Sequence, residues 1–223
     1  MKALLVIFLL LFNYSFCQET VFELLNSNQT GVEFNNVIED KKEHNILLYA
    51  NYYGGSGVGI ADFDNDGLQD IYFGGNLVAD KIYKNSGDFK FIDKTENSGI
   101  LDNGSWSSGI TIADINNDGL VDVYISKELY DDKPELRRNK LYINKGNFIF
   151  VESAEEWGVD VSARTRHAVF FDYNNDGYLD LYLLNQPPNP GSYSKFFGSD
   201  LTLPEYSLQL FKNTGNNSFI DVT

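Results

Sequence analysis

The chain has 223 residues, 32 of them acidic and 17 basic, for a formal net charge of −15, with 43% hydrophobic and 15% aromatic residues. This length is enough to bury a real core and holds one or two domains. The charge argues against nucleic acid or an anionic membrane surface as partner, because both reward Lys and Arg. It leaves a chain that is simply soluble or one that holds cations.

In chain order, the first element is a targeting segment. Met1 and Lys2 form a short positive start, and Ala3 to Phe12 ("ALLVIFLLLF") is an apolar run well short of the roughly 20 residues that span a bilayer. Small residues Ser15 and Cys17 then precede Gln18 as at a cleavage site. Residues 1–17 therefore read as a signal peptide cleaved near Cys17/Gln18, giving a secreted or cell-surface chain with no membrane insertion afterwards. Lipidation of Cys17 is disfavoured by the bulky Phe16 before it. Cys17 is the single cysteine, so the mature chain has no disulfide and needs another staple, of which bound metal is one.

Residues 18–56 read as N-terminal strands. "TGVEFNNVI" (Thr30 to Ile38) is expected to complete the last blade of a ring and so close it. From Gly57 a repeat begins. "GVGIA", "GITIA" and "HAVFF" each lead into an acidic loop that starts at Asp62, Asp114 or Asp172, and "IYF", "VYI" and "LYL" follow it. Short runs rich in β-branched and aromatic residues predict strands. Further on, Lys81 to Thr95, Lys140 to Ala154 and Gln209 to Thr223 each carry an apolar run, an Asn-x-Gly turn and a second run centred on Phe, the pattern of a hairpin. Four strands in about 50 residues make one propeller blade. The expected fold is all-β, a β-propeller of four-stranded blades over residues 57–223, with variable connections at its rim. Three blades fall short of the four to eight that close a ring, so the propeller is expected to be incomplete and the chain an N-terminal fragment.

The acidic loops carry the chemistry. Counted from the first aspartate, positions 1, 3, 5 and 9 are Asp62, Asp64, Asp66 and Asp70, then Asp114, Asn116, Asp118 and Asp122, then Asp172, Asn174, Asp176 and Asp180. Position 6 is Gly67, Gly119 or Gly177, and position 7 offers the carbonyl of Leu68, Leu120 or Tyr178. Alternating oxygen donors around a turning glycine suit Ca²⁺, whereas Zn²⁺ would call for His or Cys. Two carboxylates about 4 Å apart repel by about 1 kcal/mol even in water, so such a loop is costly without a cation. An EF-hand would place Glu at position 12; here that position is Phe73, Ile125 or Leu183, so position 9 must close the site. One Ca²⁺ per loop, three in all, is expected.

With these motifs in view, the D-x-D-x-D-G-x-x-D loop followed by "LYxNxG.F" resembles the FG-GAP/VCBS repeats of integrin α-like β-propellers. "TGVEFNN", "YYGGSGVGIADFDNDGLQDIYFGGN" and "KIYKNSGDFKFIDKT" are more closely similar to secreted bacterial proteins of the ASPIC/UnbV (cartilage acidic protein-like) family. The resemblance covers nearly all of the chain after Gln18. It implies a seven-bladed ring with Ca²⁺ in the blade loops and a role in cell adhesion. Two departures stand out: Asn at position 3 of two loops, expected to weaken binding without abolishing it, and no ASPIC/UnbV region.

Nucleophile, phosphate-loop and zinc motifs are missing, and the chain has two histidines. The reading is a non-catalytic adhesion or recognition module for an extracellular protein or glycan. The alternative is a propeller domain of an extracellular polysaccharide-degrading enzyme, with which such propellers also occur. The segments leading into each first strand supply the candidate ligand contacts: Tyr52, Tyr53, Trp106, Arg164, Arg166 and His167.

Overall fold

The computed structural model describes residues 22–100, 104–130, 133–187 and 207–223. The expected signal segment and most of the connection between the second and third strands of the third repeat, residues 188–206, lie outside them. Among the described residues, twelve strands form three four-stranded antiparallel sheets in simple sequence order. The first holds β1 (Val58–Ala61), β2 (Asp70–Phe73), β3 (Lys81–Asn85) and β4 (Phe91–Asp93). The second holds β5 (Ser107–Ala113), β6 (Asp122–Lys127), β7 (Lys140–Asn144) and β8 (Phe150–Glu152). The third holds β9 (Arg164–Phe171), β10 (Asp180–Gln186), β11 (Gln209–Asn213) and β12 (Phe219–Asp221). These are β-propeller blades, as the repeats predict, with each acidic loop joining the first strand of a blade to its second.

The core lies between consecutive sheets. Phe63, Tyr72, Ile82, Val123, Ile125, Tyr142 and Phe150 fill the first gap, and Tyr124, Leu141, Ile143, Trp157, Leu181, Phe211 and Phe219 fill the second. Burying each such side chain contributes about 1.5–3 kcal/mol. The first strands run side by side, with Ser108 Oγ donating to Thr165 O at 2.6 Å and Thr111 Oγ1 to Ala168 O at 2.8 Å. Glycine permits this approach, since a Cβ on Gly57 would sit 2.6 Å from the Ile110 nitrogen. Val58 and Ile60 on the first sheet, and Val169, Phe171 and Leu184 on the third, keep apolar side chains exposed.

A short helical turn follows the last strand of a blade: the 3₁₀ turn Thr95–Asn97 after β4 and α2 (Ala154–Trp157) after β8. The turn α1 (Ser27–Thr30) matches them ahead of the first blade. A glycine in the left-handed region closes each of them, Gly31 and Gly158 as the caps of α1 and α2 and Gly99 one residue past the Ser98 cap of the 3₁₀ turn. Thr30 to Ile38, the segment expected to close the ring, opens on Thr30 and the first of these glycines. Residues 31–38 pair with no sheet, because Thr30-Gly31-Val32 is the counterpart of Ser98-Gly99-Ile100 and Trp157-Gly158-Val159, the link into a blade. A Cβ on Gly31 would meet Phe91 O at 2.5 Å, and one on Gly99 would meet Phe150 O at 2.3 Å.

Gly99 also has φ +81°, and its neighbour Ser98 accepts the Phe150 amide at 2.7 Å. Gly99→Ala is therefore expected to cost about 3 kcal/mol, combining left-handed strain with a backbone clash. Urea unfolding should show a lower midpoint at unchanged slope; an unmoved midpoint would contradict the tight link.

Candidate functional site

The three acidic loops share one hydrogen-bonding scheme. The position-1 carboxylate accepts from the position-5 amide, Asp62 from Asp66 at 3.0 Å, Asp114 from Asp118 at 3.1 Å and Asp172 from Asp176 at 3.1 Å. Its other oxygen accepts from the glycine amide at 2.8, 2.9 and 2.9 Å. Position 5 accepts from position 7: Asp66 from Leu68, Asp118 from Leu120, and Asp176 from Tyr178. Asn65, Asn117 and Asn175 at position 4 take left-handed φ of 57–58°, a conformation Asn tolerates well. The loops are thus folded by their own aspartates.

Position 9 is different because it is buried. Asp70, Asp122 and Asp180 are at most 1% exposed. Each accepts a backbone amide from position 2 of its own loop, Phe63, Ile115 or Tyr173, at 2.9–3.1 Å. Each also accepts an amide from the third strand of its blade, Asn85, Asn144 or Asn213, at 2.7–2.8 Å.

Those asparagines are residues that sequence reasoning took only as turn formers. The side-chain amides of Asn144 and Asn213 bond carbonyls of their own loop, Val121 at 3.1 Å and Leu179 at 3.1 Å, and of the preceding loop, Phe63 at 2.8 Å and Ile115 at 3.2 Å. Their Oδ1 atoms accept from Gly146 at 2.8 Å and Gly215 at 2.9 Å. One residue ties hairpin, acidic loop and neighbouring blade, and this is why the Asn-x-Gly and acidic motifs travel together. Position 4 adds a second tie, Asn65 to Gly119 O at 3.0 Å and Asn117 to Gly177 O at 3.2 Å.

The residues fit a hard divalent cation. Asp62, Asp64 and Asp70 each offer an oxygen within 4.8 Å of the other two, a span that one Ca²⁺ with ligands at about 2.4 Å can bridge. Asp64 Oδ1 is buried without a hydrogen-bond partner. In the first loop Asp62, Asp64, Asp66, Asp70 and the Leu68 carbonyl would hold the ion. The second loop offers Asp114, Asn116, Asp118, Asp122 and Leu120, and the third Asp172, Asn174, Asp176, Asp180 and Tyr178. All donors are oxygen, which suits Ca²⁺ or Mg²⁺ rather than Zn²⁺.

Burial, with Asp118 and Asp114 adding to it, pushes the Asp122 carboxyl up to about 7 from the usual 3.8. A cation at the second loop must therefore displace a proton below that pH. Its affinity there is expected to fall tenfold per pH unit below about 7, measurable by titration calorimetry at pH 5.5, 6.5 and 8. In the metal-free chain the sign is set by the raised value. Ionised Asp122 costs stability, the cost is absent below about pH 4, and it grows as pH rises towards 7. A flat affinity profile would contradict both statements.

The other candidate contacts gather at the start of the first strands. Tyr52 and Trp106 stack with centroids 5.5 Å apart, and Tyr49 meets Trp106 edge-on at 5.4 Å. Tyr52, Trp106 and Arg164 are buried, so they form the floor of this end rather than its surface. Tyr53, 58% exposed and bonded to Asp40 at 2.7 Å, and His167 are open to solvent. Arg166 is half-buried and pairs at 2.7 Å with fully buried Glu128, whose carboxylate also receives the Tyr49 hydroxyl. Burial first, then Glu128, raises the Tyr49 phenol well above its usual range. Arg166 and Tyr49 are partners of the buried Glu128 carboxylate. No helix among the described residues is long and apolar enough to cross a membrane.

Comparison with known proteins agrees with this architecture. Residues 62–125 and 131–183, just over half of the chain, match the model of the FG-GAP-like repeat. The chain is 24% identical to cartilage acidic protein 1 of Xenopus tropicalis over 60% of its own length and 20% of the relative's. It is 23% identical to the Homo sapiens protein of that name over 66% and 21%. With integrin alpha-8 of Gallus gallus it shares 26% identity over 76% of this chain and 16% of the integrin. The chain spans about a fifth or less of the length of these relatives. A solved structure of an Agrocybe aegerita lectin, titled for recognition of non-reducing terminal N-acetylglucosamine, is a distant likeness. Its TM-score is 0.45 at 18% identity, over 73% of this chain and 36% of that one.

Proposed function

Because the chain belongs to the FG-GAP-like repeat family, we propose that it is a secreted Ca²⁺-binding β-propeller acting as a non-catalytic recognition or adhesion module. The ions hold the acidic loops at one end of the blades. The opposite end, carrying Tyr53, Arg166 and His167 over the buried Tyr52, Trp106 and Arg164, meets an extracellular protein or glycan. The observation that carries the metal half is the loop itself. Three copies share one hydrogen-bond scheme, and carboxylate oxygens of Asp62, Asp64 and Asp70 converge to within 4.8 Å in the first. A Ca²⁺ bound there neutralises mutual repulsion that the fold otherwise bears, and so acts as the staple that a chain with one cysteine lacks.

The ions are expected to number three per chain. Calorimetric titration with Ca²⁺ at pH 8 tests this, and Asp66→Ala, Asp118→Ala or Asp176→Ala should each remove one. Fewer than three sites, or stoichiometry unmoved by these substitutions, would overturn it. The recognition half is tested by Tyr53→Ala and His167→Ala, both at exposed side chains, on a glycan array and a panel of extracellular matrix proteins. Any specific binding should fall with these variants while the melting midpoint stays put.

A further inference from the structure

The loops differ in one respect that their shared scheme hides. Lys84 of β3 reaches over the first loop, where its ammonium pairs with Asp64 and, at 2.6 Å, with Asp66. The Lys84 and Asp64 side chains are 24% and 12% exposed, so water screens this pair less than an ordinary surface pair. The corresponding residue of β11 is Lys212, farther out at 3.4 Å from Asp176 and 41% exposed. In β7 it is Ile143, buried in the gap between the second and third sheets.

The extra carboxylate and the closest lysine therefore arrive together. Loop one has four carboxylates with an ammonium, loop two has three carboxylates with no ion-paired lysine among the described residues, and loop three has three with a looser ammonium. Net charge ranks the first and second loops as equals, although the first has one more acidic ligand. The ammonium also stands among the oxygens that a divalent ion would use. It must swing away before the ion enters, and it then repels the ion from close by.

We propose that Lys84 is a tethered counter-cation of the first loop that lowers its affinity for Ca²⁺, so that the second loop, with one carboxylate fewer, is the tightest of the three. This rests on the cation reading of the loops given above. It reverses the ranking expected from ligand count, in which Asn at position 3 makes the second and third loops the weak ones. When the ion is scarce, Lys84 keeps the first loop closed by pairing the carboxylates that would otherwise repel.

The test uses the full chain with a single loop intact. Asp118→Ala/Asp176→Ala leaves the first loop, Asp66→Ala/Asp176→Ala the second and Asp66→Ala/Asp118→Ala the third, each titrated with Ca²⁺ at pH 8, where Asp122 is ionised. The second loop is expected to bind more tightly than the first. A third loop that binds more tightly than the second would overturn the ranking. Lys84→Met should tighten the first loop roughly three- to tenfold, while Lys84→Arg, which keeps the charge, should stay within twofold. In EDTA, Lys84→Met should melt below the parent and Lys84→Arg should not. Calcium binding to both loops that Lys84→Met leaves unchanged, or that is tighter at the first loop of the parent, would overturn this proposal alone. No calcium binding by any single-loop protein would overturn the cation reading and this proposal with it.

Discussion

Asn144→Ala is expected to lower the stability of the chain by about 4 kcal/mol. The side chain is fully buried, and its amide donates to Phe63 O at 2.8 Å and Val121 O at 3.1 Å while its Oδ1 accepts from Gly146 at 2.8 Å. Truncation leaves two carbonyls and an amide without partners, at about 1–3 kcal/mol for each group that stays dry. The loss is concentrated where two blades and an acidic loop meet, so relaxation by a small shift is blocked on three sides. Asn144→Asp should be no better, since it keeps the acceptor, loses the donors and adds a carboxylate beside buried Asp122. Asn85 is an internal control. Its amide donates to Gln69 O at 2.9 Å in its own blade, with no carbonyl of a preceding blade among the described residues, so Asn85→Ala should cost about half as much. Urea unfolding in saturating Ca²⁺ measures all three. Equal, small losses at Asn144 and Asn85 would show that the inter-blade bonds are dispensable.

The second large effect is expected on removal of the Ca²⁺ ions proposed for the loops. Extracellular sites of this oxygen-donor kind bind Ca²⁺ at about 10⁻⁴–10⁻³ M. At tenfold excess over Kd each site stabilises the fold by about 1.4 kcal/mol, so three contribute about 4. For a chain of this size that corresponds to a melting shift of about 10 °C. The cause lies in the loops. With position 1 already committed to two amides and position 9 buried, the carboxylates cannot splay apart to relieve their repulsion without breaking the bonds that shape the turn.

Much of this was legible in the sequence, because repetition exposes what a single copy hides. The three acidic loops, the four strands per blade and the hairpins all follow from self-comparison, and β1 to β12 fall where the repeats put them. Other features escaped it for physical reasons. Thr30 to Ile38 has the composition of a strand, but Gly31 in the left-handed region makes it a link, visible only beside Gly99 and Gly158. Tyr52 and Trp106 look like a ligand platform because aromatic residues ahead of a strand serve packing and binding alike; burial alone separates the roles. The burial of Glu128 depends on Tyr49 and Arg166, 79 and 38 residues away in sequence, which no local pattern announces. Lys84 looks like any alternating strand lysine, and its placement over the first loop is a tertiary fact.

The central claim is that Ca²⁺ is a structural part of these loops, and thermal unfolding tests it most directly. The parent chain and the Asp66→Ala/Asp118→Ala/Asp176→Ala variant are melted in excess EDTA, in 10 mM Mg²⁺ and in 10 mM Ca²⁺. The account predicts a rise of about 10 °C for the parent in Ca²⁺, a smaller one in Mg²⁺ and none for the variant. Parent midpoints that coincide in EDTA and Ca²⁺, or a variant that responds as the parent does, would contradict it.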